Sequence, residues 1–163
     1  MVRTTGARAT LALLLLGAGL AGCGGGAATP PARSEGACSA QIGAHVTVVV
    51  EVSAHTILDR CVAVGPGAVS AETVMHRSGV TIALQHFSFG DAVCALDHVP
   101  PAYTQCFTSG APYWALFVAP AHGLFRAAST GISGIRLRAG ETLGWRYLPA
   151  KGPVTPPPLR TRR

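Results

Sequence analysis

The chain has 163 residues, 48% of them hydrophobic and 12% charged, with a formal net charge of +6. That length bounds the protein to one domain with a real but modest apolar core. The positive balance does not describe a basic face, because Arg3, Arg8, Arg160, Arg162 and Arg163 sit at the two ends, and between residues 38 and 150 arginines and carboxylates are equal in number. Composition therefore argues against nucleic-acid binding, which needs clustered positive charge.

From the amino terminus, Arg3 and Arg8 precede an apolar stretch over 9–20, which ends in Leu20-Ala21-Gly22-Cys23. The stretch is shorter than the ~20 residues a spanning helix needs. Its small residues before Cys23 are of the kind a signal peptidase accepts. An ordinary secretory signal would not need a cysteine directly after Leu-Ala-Gly. The segment resembles the lipobox of bacterial lipoprotein precursors. That resemblance implies a signal peptide over 1–22, acylation at Cys23, and a protein held by its acyl anchor on the extracytoplasmic face of the cell membrane. Each buried methylene contributes ~0.8 kcal/mol, so two or more chains hold stably. Residues 23–36 are small, polar and proline-bearing, and read as a flexible stalk. The folded domain is expected over 37–150. Residues 151–163, rich in proline and arginine, read as a disordered tail.

Within the domain, 45–52 (His-Val-Thr-Val-Val-Val-Glu-Val) alternates strictly with β-branched residues and reads as a half-buried strand. Residues 56–64 return as a second strand, stopped by Gly65-Pro66-Gly67. Ser70 reads as a helix N-cap, with Glu72 in the first turn and Gly79 past the end, so a short helix is expected over 71–78. Residues 80–89 enter the sheet, Gly90-Asp91 turns, and 93–96 is a short strand stopped before Pro100-Pro101. The strongly apolar 113–119 is expected as a central strand. Phe125-Arg126 and 135–138 form weaker strands, and 143–148 closes the domain. The predicted class is α+β, a β-grasp-like arrangement with one mixed or antiparallel sheet and one main helix.

Four cysteines remain after Cys23, namely Cys38, Cys61, Cys94 and Cys106. An even number in an oxidising compartment reads as two disulfides, and sequence alone leaves three pairings open. Cys38–Cys61 and Cys94–Cys106 are favoured because each closes a local loop. No C-x-x-C spacing supports a zinc ribbon or a redox centre.

The order of these elements also resembles a domain of unknown function similar to the C-terminal β-domain of transcobalamin and intrinsic factor. The matching features are the valine-rich first strand, Cys61 in the second, and the helix ending at Gly79. They continue with Phe89-Gly90-Asp91-Ala92-Val93-Cys94-Ala95-Leu96-Asp97, Pro100, Cys106 and Tyr113-Trp114. Gly131, Ala139-Gly140-Glu141 and Gly144-Trp145-Arg146-Tyr147 complete the set. His98 stands where many relatives carry glycine, and Ala115-Leu116-Phe117 where many carry a second tryptophan-rich stretch. In the vitamin carriers this domain supplies one face of a cobalamin site beside a large helical domain. Here the resemblance implies a fold and an exported setting more than an activity.

The six histidines show neither H-x-H nor H-E-x-x-H spacing, so no metal site is expected. No G-x-S-x-G turn supports a catalytic triad, and neither catalysis nor a cofactor is expected. Tyr113, Trp114, Trp145 and Tyr147 are candidate ligand contacts, weighed against simple core packing. Tyr113 and Trp114 must face opposite ways in a strand. Tyr103, in the loop between Cys94 and Cys106, is a candidate partner contact because a stapled, proline-stiffened loop is preorganised. The expected function is an extracytoplasmic binding or interaction module that captures a small ligand or meets an envelope protein. The alternative is a secreted-protease inhibitor or a purely structural envelope lipoprotein.

Overall fold

The computed structural model describes Cys38 and residues 43–158. The signal peptide, Cys23, the stalk through residue 36 and the last residues of the tail, 159–163, lie outside the described residues.

The described part is α+β, with nine strands and one α-helix. In chain order the elements are β1 (His45–Ser53), β2 (Thr56–Ala63), β3 (Val69–Ser70), α1 (Ala71–Ser78), β4 (Ile82–Phe87), β5 (Gly90–Leu96), β6 (Tyr113–Ala119), β7 (Arg126–Ala127), β8 (Arg136–Leu137) and β9 (Thr142–Leu148), with a 3-10 turn at Ile132–Gly134 before β8. Five strands form one mixed sheet in the order β2-β1-β9-β6-β7. β1 and β9 are parallel, and the other neighbours are antiparallel. The expected single sheet is accompanied by two ribbons, β3-β8 and β4-β5.

Register fixes which side chains share a face. Val48 lies across from Leu143, and Val50 across from Trp145. Trp145 in turn lies across from Leu116, and Tyr147 across from Trp114. These residues and Val62 share the main core with Val74 and Met75 of α1. Helix α1 is set by its ends. The Ser70 side chain accepts a hydrogen bond from the Thr73 N–H at 3.1 Å. Gly79 terminates the helix at φ 73°, a left-handed conformation that costs glycine little.

The opposite face is covered as well. Val49 and Glu51 are buried, at 3% and 8% exposure, where strict alternation predicts a solvent face for β1. Ala115, Phe117 and Leu148 form a second small core there, packed against Tyr113 and Phe125. Gly144 allows this close approach, since a Cβ at that position would stand 2.6 Å from the Phe125 ring and 3.0 Å from Pro157.

Two expectations are corrected. The centre of the sheet is β9, not the apolar 113–119 strand. β9 is inserted between the first strand and β6, a long-range pairing that local periodicity does not encode. The segment expected to be unstructured from Lys151 is held to the sheet at Thr155, Pro156 and Pro157. An Arg146 guanidinium N–H donates to Thr155 Oγ1 at 2.8 Å and to the Pro156 carbonyl at 3.1 Å, and Pro157 is fully buried.

Both disulfides are present, Cys38–Cys61 and Cys94–Cys106, with Cα separations of 4.9 and 5.0 Å. The second staples β5 to the end of the following loop, and the Cys106 N–H donates to Gln85 Oε1 on β4 at 3.0 Å.

Candidate ligand-binding site

β7 pairs with β6 only at Phe117 and Val118. Beyond that pairing β6 has no strand neighbour on this side among the described residues, and a cavity of about 330 Å³ opens along Tyr113–Leu116. Trp145 and Ile132 form its inner wall, with Ala92 and Val93 of β5 alongside. Phe89, Phe107 and Val154 border its outer part. The size falls in the range of small-molecule sites, about 300–1,000 Å³, and the lining is mostly apolar, as such sites require.

One wall depends on a close backbone approach. The β4-β5 hairpin tip carries Phe89 and Gly90 and rests on the turn at 131–133. The Gly131 N–H donates to the Phe89 carbonyl at 3.2 Å, and the Asp91 N–H donates to Ser133 Oγ at 2.9 Å. A Cβ on Gly131 would stand 2.5 Å from the Asp91 carbonyl oxygen and 2.8 Å from the Gly90 carbonyl carbon. Only glycine lets these two backbones meet.

The mouth is built of rings. Phe87 and Phe89 stack with centroids 5.2 Å apart and planes 10° from parallel. Phe107 packs edge-on to both, at 6.1 and 5.8 Å, and lies 5.7 Å from Tyr113. Phe87 ends β4 and Phe89 sits in the two-residue turn before β5, and the turn sets the second ring back against the first. Despite this packing, Phe89 and Phe107 each remain 48% exposed. Fully burying such a ring stabilises by roughly 1.5–3 kcal/mol, so the open ring faces forgo a substantial part of that gain.

The two tryptophans differ in how their N–H groups are treated. Trp114 Nε1 donates to the Val99 carbonyl at 2.7 Å. Trp145 Nε1 is buried and has no hydrogen-bond partner. Leaving such a donor unpaired costs about 1–3 kcal/mol. Among the described residues no three His, Cys, Asp or Glu side chains gather in a way that would hold a metal ion.

The five aromatic candidates from the sequence divide between two cavities. Trp145 borders the one just described, together with Tyr113 and Trp114. Tyr103, Tyr147, Tyr113 and Trp114 border a second, of about 300 Å³, beneath the Cys94–Cys106 loop. Tyr113 and Trp114 do project to opposite faces, and Trp114 is the one in the core, at 2% exposure. Tyr147 stands 5.2 Å from Trp114, ring centre to ring centre. Tyr103 is 45% exposed. Sequence reasoning missed Phe89, Phe107 and Leu116. The Phe-x-Phe-Gly run at 87–90 was the available signal, since two aromatics on one side of a hairpin tip end in a ring pair.

No family model matches the chain, and no curated protein matches it.

Proposed function

We propose that this protein is a lipid-anchored, extracytoplasmic binding module of β-grasp-like topology, which captures a small apolar ligand in the Trp145 cavity. The topology reading rests on the strand order β2-β1-β9-β6, in which the parallel first and last strands lie side by side. It rests also on α1 packing against one face of that sheet. The anchor rests on the Leu-Ala-Gly-Cys sequence ending at Cys23. The observation that carries the ligand reading is the ring cluster of Phe89, Phe107 and Tyr113, left partly open at the mouth of an apolar cavity. Exposed rings beside a concave apolar surface offer a ligand both contact area and a dry interior.

The test is titration with the neutral fluorophore N-phenyl-1-naphthylamine. Saturable enhancement of its emission is expected, with matching quenching of tryptophan fluorescence. Ala128→Leu, which places bulk on the cavity lining, should weaken it. Absence of saturable binding, or binding indifferent to Ala128→Leu, would overturn the ligand reading. A second reading, protease inhibition, is favoured only by the exposed Tyr103 in its stapled loop. Inhibition of a secreted protease that is lost in Tyr103→Ala would establish it. For the anchor, Cys23→Ser should release the protein or leave it unprocessed, and a normally cleaved variant that stays on the membrane would refute it.

A further inference from the structure

A third cavity, of about 470 Å³, lies beside the Trp145 cavity and shares with it the lining residues Ala127, Ala128 and Ser129. Leu116 borders the first and Val118 the third. These two residues are on the same face of β6, one pleat repeat or about 7 Å apart. The two hollows are therefore neighbours along one strand, and their chemistry differs. The first is lined mostly by rings and aliphatic groups, and its one carboxylate, Asp91, lies 2.7 Å from His86 Nδ1. The third is lined by Arg126 of β7 and Arg136 of β8, both exposed. Neither guanidinium has a hydrogen bond or an ion pair among the described residues. The carboxylate on the same lining, Glu141, already accepts the Arg138 backbone N–H at 2.7 Å.

We infer that the site takes a ring-bodied organic anion, its aromatic body in the Trp145 cavity and its carboxylate or sulfonate at Arg126 and Arg136. This rests on the ligand reading above and adds the class of ligand. Stacked and edge-on rings at the mouth favour a flat aromatic body over a flexible chain. Planar guanidinium groups with free donors match a carboxylate or sulfonate by paired, charge-assisted hydrogen bonds. A purely apolar ligand would use the first cavity and leave both cations untouched.

The test compares two probes with closely similar ring systems, neutral N-phenyl-1-naphthylamine and anionic 8-anilinonaphthalene-1-sulfonate. On the wild-type protein the sulfonate should bind more tightly at low salt, and the preference should shrink as salt screens the arginines. In Arg126→Ala/Arg136→Ala the sulfonate should weaken roughly fivefold, the scale of one or two exposed ion pairs, while the neutral probe keeps its affinity. Arg60→Ala/Arg77→Ala changes the net charge equally and should leave both probes unaffected. Neutral binding with no preference for the sulfonate overturns this inference and leaves the cavity reading standing. So does a preference that survives in Arg126→Ala/Arg136→Ala, or one lost equally in the control pair. Failure of the neutral probe as well overturns both.

Discussion

Arg146 stands directly across from Glu51 in the parallel pair of β9 and β1, and its Nε lies 3.0 Å from Glu51 Oε2. The Glu51 side chain is 9% exposed and that oxygen has no aligned hydrogen bond, so the contact is one of charge. The same guanidinium reaches Thr155 and Pro156 through Nη1. Arg146 thus neutralises a buried carboxylate and pins the segment after β9. In Arg146→Met the stem remains while Glu51 is left buried without its cation. The expected loss is about 2–3 kcal/mol by denaturant unfolding, since an uncompensated buried charge costs more than a neutral group. Glu51→Gln combined with Arg146→Met should recover part of the loss, and a single variant as stable as wild type would show that the pair contributes nothing.

Gly131→Ala should damage the cavity wall before it damages the sheet. The added methyl meets the backbone of Gly90 and Asp91, not the end of a movable side chain. Forced separation of such packed elements costs about 1–3 kcal/mol. The hairpin tip should lift from the turn, giving faster exchange of the Gly131 amide and weaker binding of the neutral naphthylamine. Unchanged exchange and binding would mean that the tip does not depend on this approach.

Trp114→Phe and Trp145→Phe remove the same atoms with different consequences. The first breaks the bond to the Val99 carbonyl, and the second removes a donor that is already unpaired. Both leave a comparable void, but Trp145→Phe also relieves the cost of the unpaired donor, so Trp114→Phe should be the more destabilising by roughly 2–4 kcal/mol, one net hydrogen bond plus that relief. Urea midpoints of the two variants check this, and equal midpoints would contradict it.

Loss of the Cys94–Cys106 bridge should lower stability by ~3 kcal/mol, the chain-entropy value for a loop of this order. The residues are separated by 12 positions, so the bridge constrains a short segment only. A Cys94→Ala/Cys106→Ala protein that melts like wild type would show that the staple is not stabilising. The same variant should bring Phe107 out of register with Phe87 and Phe89, and so weaken neutral-probe binding.

Much of the secondary structure was legible because its signals are local. Ser70 and Gly79 mark the ends of α1 by chemistry confined to one turn, and the alternation of 46–52 follows from the pleat of a single strand. The local loops also pointed to Cys38–Cys61 and Cys94–Cys106. The candidate site was half legible. Tyr113, Trp114 and Trp145 were singled out as large aromatics, but the two cavities that divide them are formed by β5, β6, the stapled loop and the turn at 131, which only the folded chain brings together. Phe89 and Phe107 are 18 positions apart and carry no shared local pattern.

What the sequence determined by itself is therefore most of the elements, the caps of α1 and the α+β class, because propensity, capping and pleat act over a few neighbouring residues; the turn expected at Gly90-Asp91 falls at 88–89 instead, with both residues in β5, and β3 was not foreseen. Tertiary structure alone decided that β9 lies at the centre beside β1, that Glu51 is buried against Arg146, and that Pro157 covers Gly144. It also set the aromatic hollow next to the arginine-lined one along β6. Each of these depends on pairing between distant segments, where the free energy comes from burial and register across the whole sheet and leaves no trace in any short stretch of chain.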